Sequence, residues 1–221
     1  MSENVLYYIT NRAAFPGDER TRRLRLLDKI AEATANGVDY IQLREKDLSS
    51  RELESLSREA LRIIHNLKTQ NPKLTTALLI NSRTDIALAI SADGVHLPAD
   101  DVSPQDVREM WKCGAGTLAR ELSLQNPLIA VSCHKLEEVE KGALNQATFV
   151  VLAPIFEKSG TNPQGLEALH EACRTKIPVL ALGGITLQNA NSCLQAGAAG
   201  IAAIRLFQEN DIATIVRKLH S

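Results

Sequence analysis

The stretch Asp39-Tyr40-Ile41-Gln42-Leu43-Arg44-Glu45-Lys46 begins as a short apolar strand and runs straight into charged side chains. A parallel α/β barrel builds its site this way, because the loops that follow its strands gather at one rim. Pro178-Val179-Leu180-Ala181-Leu182-Gly183-Gly184-Ile185 repeats the pattern with different chemistry. There a buried-strand run ends in two glycines, and the missing Cβ atoms let backbone N–H groups approach an anion. Cations at one strand end and backbone donors at another point to a phosphorylated substrate.

Working outward from these two segments, short apolar runs alternate with amphipathic helical stretches about eight times. The runs are Leu6–Thr10, Tyr40–Arg44, Thr76–Asn81, Gly94–Leu97, Leu128–Cys133, Phe149–Pro154, Val179–Gly183 and Ile201–Leu206. Near-continuous apolar strands are expected where a parallel sheet is covered on both faces. Between them, helical spacing runs through Leu24–Asn36, Ser50–Leu67, Thr84–Ser91, Ser103–Lys112, Leu136–Leu144, Leu166–Cys173, Leu187–Ala196 and Ile212–Leu219, with Ser103-Pro104 and Thr186 as helix starts. An eightfold strand–helix repeat predicts an α/β fold of the (β/α)8 TIM barrel type, although a doubly wound open sheet shares the same local grammar. No low-complexity linker interrupts it, so residues 1–221 read as one domain. The segment Trp111–Asn126 reads as an insertion that forms either a small added helix or a cover.

The 221 residues carry 25 Lys plus Arg against 26 Asp plus Glu, which leaves no global field to favour nucleic acid or a membrane surface. A small-molecule partner is the expectation. Cys113, Cys133, Cys173 and Cys193 are widely spaced with no C-x-x-C pair, as in a reduced cytosolic protein without a zinc site. No apolar run approaches membrane-spanning length, so a soluble, cytoplasmic protein is expected.

In a barrel the strand ends are where chemistry collects. They supply Gln42, Arg44, Glu45 and Lys46; Asn81-Ser82-Arg83; His96 through Asp101; Ser132 and His134; Lys158 to Thr161; Gly183 and Gly184; and Arg205. His96 reads as a residue that fills the barrel interior or orients a neighbour, and His134 as a surface or helix-start residue.

Seven segments taken together resemble the thiamin phosphate synthases and their TenI-type relatives. They are Gln42-Leu-Arg-Glu-Lys46, Asn81-Ser-Arg-Thr-Asp-Ile-Ala-Leu88, Ala92-Asp-Gly-Val-His-Leu97, Val131-Ser-Cys-His134, Ala153-Pro-Ile-Phe156, Ala181-Leu-Gly-Gly-Ile185 and Ala196-Gly-Ala-Ala-Gly-Ile-Ala202. The resemblance implies a (β/α)8 barrel in which a pyrimidine methyl diphosphate loses pyrophosphate and the ring nitrogen of a thiazole phosphate captures the resulting cation. It makes Arg44 and Lys46 donors to the departing diphosphate, with Gln42 and Asn81 as polar contacts within a substrate-binding stretch that includes Leu43 and Glu45. A rim ion pair of Glu45 with Arg44 or Lys46 is the competing role for that acid. Ser132 matches the serine beside the pyrimidine, and Gly184, Ile204 and Arg205 fall at the thiazole-phosphate cradle.

The chain also departs from the pattern. Arg205 stands where a small hydroxyl residue is usual, and Lys158, in a shortened Glu157-Lys-Ser-Gly-Thr161 loop, is the replacement diphosphate donor. The resemblance implies Mg2+, with Asp101 as one metal-associated acid, while Ser82 stands where the other acid is usual. Two alternatives remain at this stage. A TenI-like thiazole tautomerase would need a histidine where this chain has Pro154, and a noncatalytic relative would bind phosphorylated ligands without turnover.

Overall fold

The computed structural model describes residues 4–114, 126–157 and 162–220. The apolar runs form eight parallel strands: β1 (Val5–Ile9), β2 (Tyr40–Leu43), β3 (Ala77–Asn81), β4 (Gly94–Leu97), β5 (Leu128–Cys133), β6 (Phe149–Leu152), β7 (Val179–Ala181) and β8 (Gly200–Ala203). They pair in chain order, and β8 closes onto β1 through Leu6 opposite Ile201. Closure decides against the open sheet, and it leaves no strand edge unpaired.

The strands are largely apolar because both their faces are buried, in two separate layers. Leu6 and Tyr8 of β1, Ile41 and Leu43 of β2, and Val131 and Cys133 of β5 pack outward against the helices. Tyr7 and Ile9, Leu79, Ala130, Val151 and Leu180 fill the barrel. The interior is graded along its axis. At the amino-terminal end the Tyr40 and Phe149 rings stack with centroids 5.1 Å apart, and Tyr7 meets both edge-on. At the carboxyl end the inward positions become polar: Gln42, Asn81, His96 and Ser132. An aromatic plug below and a polar rim above leave only the upper end for chemistry.

The outer layer contains α1 (Glu19–Ala35), α2 (Ser50–Gln70), α3 (Thr84–Ile90), α4 (Pro104–Gly114), α5 (Leu136–Leu144), α6 (Gly165–Cys173), α7 (Ala190–Gln195), α8 (Arg205–Gln208) and α9 (Ile212–Leu219). The α2 start is fixed by a capping box in which Ser49 and Glu52 satisfy each other's backbone N–H groups. Several boundaries differ from the sequence reading, and three of them have a clear local cause. Helix α1 starts at Glu19, where the Asp18 carboxylate accepts from Thr21 N, and Leu24 lies off the buried face at 53% exposed. Helix α7 starts at Ala190, because Asn189 holds Thr186 in a turn instead of a cap. Strand β8 stops at Ala203. Leu206 and Phe207 are buried on the separate short helix α8, so one apolar run spans two elements that periodicity cannot divide.

Among the described residues no helix is long and apolar enough to cross a membrane. All four cysteines are free, and burial pushes the Cys133 thiol up to about 12, which makes it a packing residue and not a nucleophile. Of the insertion Trp111–Asn126, residues 115–125 lie outside the described residues, as does Lys158.

Candidate active site at the carboxyl end of the barrel

The segment after β2 is held by a buried ion pair that the local sequence does not announce. Glu45 is 5% exposed; its carboxylate accepts from the Thr10 hydroxyl at 2.6 Å, from Arg12 N at 3.0 Å and from the Arg12 guanidinium at 3.3 Å. Thr10 Oγ1 in turn accepts from Arg44 N at 3.0 Å. Arg12 also forks onto Asp47 at 2.7 and 2.9 Å and reaches Glu19 at 2.6 Å. The partner of Glu45 is therefore Arg12, not Arg44 or Lys46, and its carboxylate is not offered to the mouth of the barrel. Burial raises the Glu45 carboxyl above its ordinary range, while the bonds from Thr10 and Arg12 pull it back. Leu43 is likewise turned away: its side chain is fully buried in the outer layer, which leaves only its backbone near the mouth.

Within β2, Gln42 has the opposite parity to Leu43, and Arg44 and Lys46 follow in the loop beyond the strand end. Gln42 is 1% exposed and donates from Nε2 to Asn81 Oδ1 at 3.3 Å, and Asn81 Nδ2 donates to Ser82 Oγ at 3.1 Å. Arg44 is half-buried, and its charge, after burial, helps to push the His96 imidazole down to about 3. His96 is therefore neutral at physiological pH. Its two nitrogens contact Tyr7 Oη at 3.0 Å and Ser132 Oγ at 2.7 Å. The sequence placed His96 and Ser132 at adjacent strand ends; the buried Tyr7 beneath them was hidden in an apolar strand. His134 is exposed, with its N–H on Glu138 at 2.7 Å and Nδ1 on Ala153 O at 2.9 Å, the helix-start role expected of it.

Asp101 is exposed in the loop after β4, and its Oδ1 accepts from Val102 N at 2.8 Å. No group of three His, Cys, Asp or Glu residues converges on a metal position among the described residues. Ser82 has φ +55° and donates its N–H to His96 O at 2.9 Å.

On the other side of the rim, Gly184 and Arg205 line one cavity of about 310 Å³ with Thr186, Leu187 and Gln188. Asn189, which the sequence reading overlooked, staples this loop: Nδ2 donates to Gly184 O at 2.9 Å and Oδ1 accepts from Thr186 N at 2.8 Å. Gly184 has φ +66°, and a Cβ there would lie 2.7 Å from Phe156 Cβ. Its glycine is thus demanded by backbone conformation and by the loop after β6 rather than by clearance towards the cavity. Ile204 and Arg205 also border a second cavity of about 640 Å³ beside α1. Arg205 is exposed at the start of α8 and has no ion pair among the described residues, so its guanidinium is available to an anion.

The chain has relatives in sequence named as thiamine-phosphate synthases. It is 35% identical over 224 residues to the thiamine-phosphate synthase of Syntrophomonas wolfei, covering 99% of this chain and 95% of that one. It is 32% identical over 211 residues to the thiamine-phosphate synthase of Clostridium novyi, covering 93% and 91%. Among solved structures it superposes on a thiamine phosphate pyrophosphorylase from Pyrococcus furiosus with a TM-score of 0.75 and 26% identity, covering 97% of this chain and 93% of that one. The model of the thiamine monophosphate synthase family, TMP-TENI, matches residues 6–207, and the chain belongs to that family.

Proposed function

We infer that the chain is a transferase that joins hydroxymethylpyrimidine diphosphate to thiazole phosphate and releases pyrophosphate, forming thiamin phosphate. What supports this reading is that the rim carries two groups of potential anion donors of different construction. Arg44 and Lys46 stand on one side, and the loop 184–186 with Arg205 stands on the other. Cleavage of the carbon–oxygen bond places charge on the departing diphosphate, and fixed cationic donors stabilise that charge more than they stabilise the ground state. Arg44 offers a planar fork and Lys46 a compact charge. Lys158, following β6, is assigned to the same leaving group from its place in the sequence. Gln42, Asn81 and Ser132 orient the pyrimidine.

Across the rim, the stapled 184–186 loop, Ile204 and Arg205 hold the thiazole phosphate. The whole span 1–221 works as one barrel domain, and the location is the cytoplasm. Purified protein given both precursors and Mg2+ should form thiamin phosphate, and omission of either precursor should abolish it. Product formed from thiazole phosphate alone would instead indicate an isomerase.

Mg2+ suits oxygen ligands and is commonly bound by one or two carboxylates together with substrate phosphates and water. With Asp101 exposed and Ser82 present in place of an acid, the donor set fits an ion carried largely by the diphosphate, with Asp101 as its carboxylate. When bound, it would neutralise charge on the leaving group. Ser82→Asp should lower the Mg2+ concentration for half-maximal activity by roughly tenfold, because ligand charge tunes affinity. Asp tolerates the positive φ of this position better than most residues. An unchanged metal titration would show that position 82 does not face the ion.

Asn189→Ala removes both bonds that order the phosphate loop. Thiazole phosphate should bind about tenfold more weakly, on the scale of one to two net hydrogen bonds. Pyrimidine diphosphate binding should stay near wild type. Calorimetric titration of each ligand decides; equal losses for both would mean a general disturbance of the rim.

A further inference from the structure

The chain Tyr7–His96–Ser132 crosses the barrel from its closed middle to its open mouth. Tyr7 is fully buried, with its ring edge-on to Tyr40 and Phe149. Its hydroxyl has one polar neighbour among the described residues, His96 Nδ1 at 3.0 Å. His96 is 3% exposed, and its Nε2 lies 2.7 Å from Ser132 Oγ. Ser132 alone of the three reaches partly into solvent.

Two proton arrangements satisfy these distances, and they differ in which donor is left without an acceptor. If His96 carried its proton on Nδ1, that N–H would donate to Tyr7 and the phenolic hydrogen would be stranded in the core. Ser132 would then spend its own hydrogen on Nε2. If Tyr7 donates to Nδ1, the proton must sit on Nε2, which donates to Ser132 Oγ, and every buried donor is used. Stranding a buried O–H costs enough to favour the second arrangement by roughly ten- to a hundredfold. A doubly protonated ring would also strand the phenolic hydrogen, and it would place a buried charge near Arg44.

We propose that Tyr7 and His96 are positioning residues that fix the direction of this relay and so make Ser132 a hydrogen-bond donor towards the substrate. Ser132 accepts from His96 on its inner side and turns its hydroxyl hydrogen to the mouth. The substrate atom beside it must then offer a lone pair, as an aromatic ring nitrogen does and an exocyclic amino group does not. The relay selects for a heteroaromatic acceptor at this point, and it does so from residues that never touch the substrate. This deepens the synthase reading and rests on it for the identity of the ring.

The test uses the full-length protein labelled with 15N at histidine, with the His96 signals identified by their loss in His96→Gln. In the free wild-type protein, Nε2 should carry the proton and Nδ1 should be of the unprotonated type, throughout the range in which exposed histidines titrate. In Tyr7→Phe the Nδ1 acceptor loses its donor. The tautomers should mix, and KM for pyrimidine diphosphate should rise roughly tenfold, the scale of one hydrogen bond, with KM for thiazole phosphate unchanged. A wild-type His96 protonated on Nδ1 or on both nitrogens overturns the relay whether or not the variant folds. Equal KM shifts for both substrates would overturn it as well. With the tautomer as expected and no thiamin phosphate formed by the wild type, the synthase reading fails while the hydrogen-bond order stands.

Discussion

Arg44→Ala is expected to lower kcat/KM for thiamin phosphate formation on the order of 10²–10³-fold, the usual cost of removing one donor to transition-state charge. Stability should hardly move. The one bond that ties Arg44 to the fold among the described residues is made by its backbone N–H to Thr10 Oγ1, which alanine retains. The side chain is half-buried at the rim, close enough for its charge to be felt at His96, and among the described residues its guanidinium has no carboxylate partner. A positive group held at a mouth without an internal partner is arranged for an anion from outside. Arg44→Lys should recover part of the loss, since it keeps the charge and gives up the planar fork. Lys46→Ala should cost less, because Lys46 is exposed and acts as a screened point charge. Steady-state kinetics with thermal melts separates these effects. A large drop in melting temperature for Arg44→Ala would make it a structural residue.

Arg12→Ala should be the most destabilising single change at the rim, by about 3–5 kcal/mol, because it leaves the Glu45 carboxylate buried beside an empty cation position. Glu45 would keep the Thr10 hydroxyl and the residue-12 backbone N–H, so the lower half of that range is expected at acidic pH. The sign follows from the proton balance. Burial already raises the Glu45 carboxyl above its unfolded value, so the folded protein binds the proton more tightly and loses stability as pH rises through the raised value. Removing Arg12 takes away a group that pulls in the other direction, so the raised value climbs further. Arg12→Ala should then be visibly worse at neutral pH than below the ordinary carboxylate range. Urea midpoints at the two pH values measure this, and a pH-independent loss would place the cost in the bonds from Arg12 to Asp47 and Glu19. Glu45→Gln should be milder, since Arg12 retains those two acids.

Much of this architecture was legible in the chain. The apolar runs gave all eight strands because a barrel buries both faces of each, and Gln42, Arg44 and Lys46 stood out because polar residues follow such a run abruptly. Legibility failed where meaning depends on distant partners. Glu45 looks like one more rim charge until Arg12, 33 positions earlier, is seen to own it. Leu43 sits inside the motif yet faces the helices, a consequence of strand parity. Tyr7 carries the same apolar signature as its neighbours, and only closure of the barrel brings it under His96, 89 positions away. Asn189 was hidden inside a stretch with helical spacing, where its side chain in fact delays the helix. Arg205 was read as the end of a strand because the apolar residues of β8 and α8 run together.

The measurement that tests the central claim most directly is a single-turnover reaction with hydroxymethylpyrimidine diphosphate labelled with 18O at the oxygen bridging carbon and phosphorus, in the presence of thiazole phosphate. The account predicts that thiamin phosphate and pyrophosphate appear together in equal amounts, with the label in pyrophosphate, and that Arg44→Ala slows both alike. Label retained on the organic product, or consumption of thiazole phosphate without pyrophosphate, would contradict it.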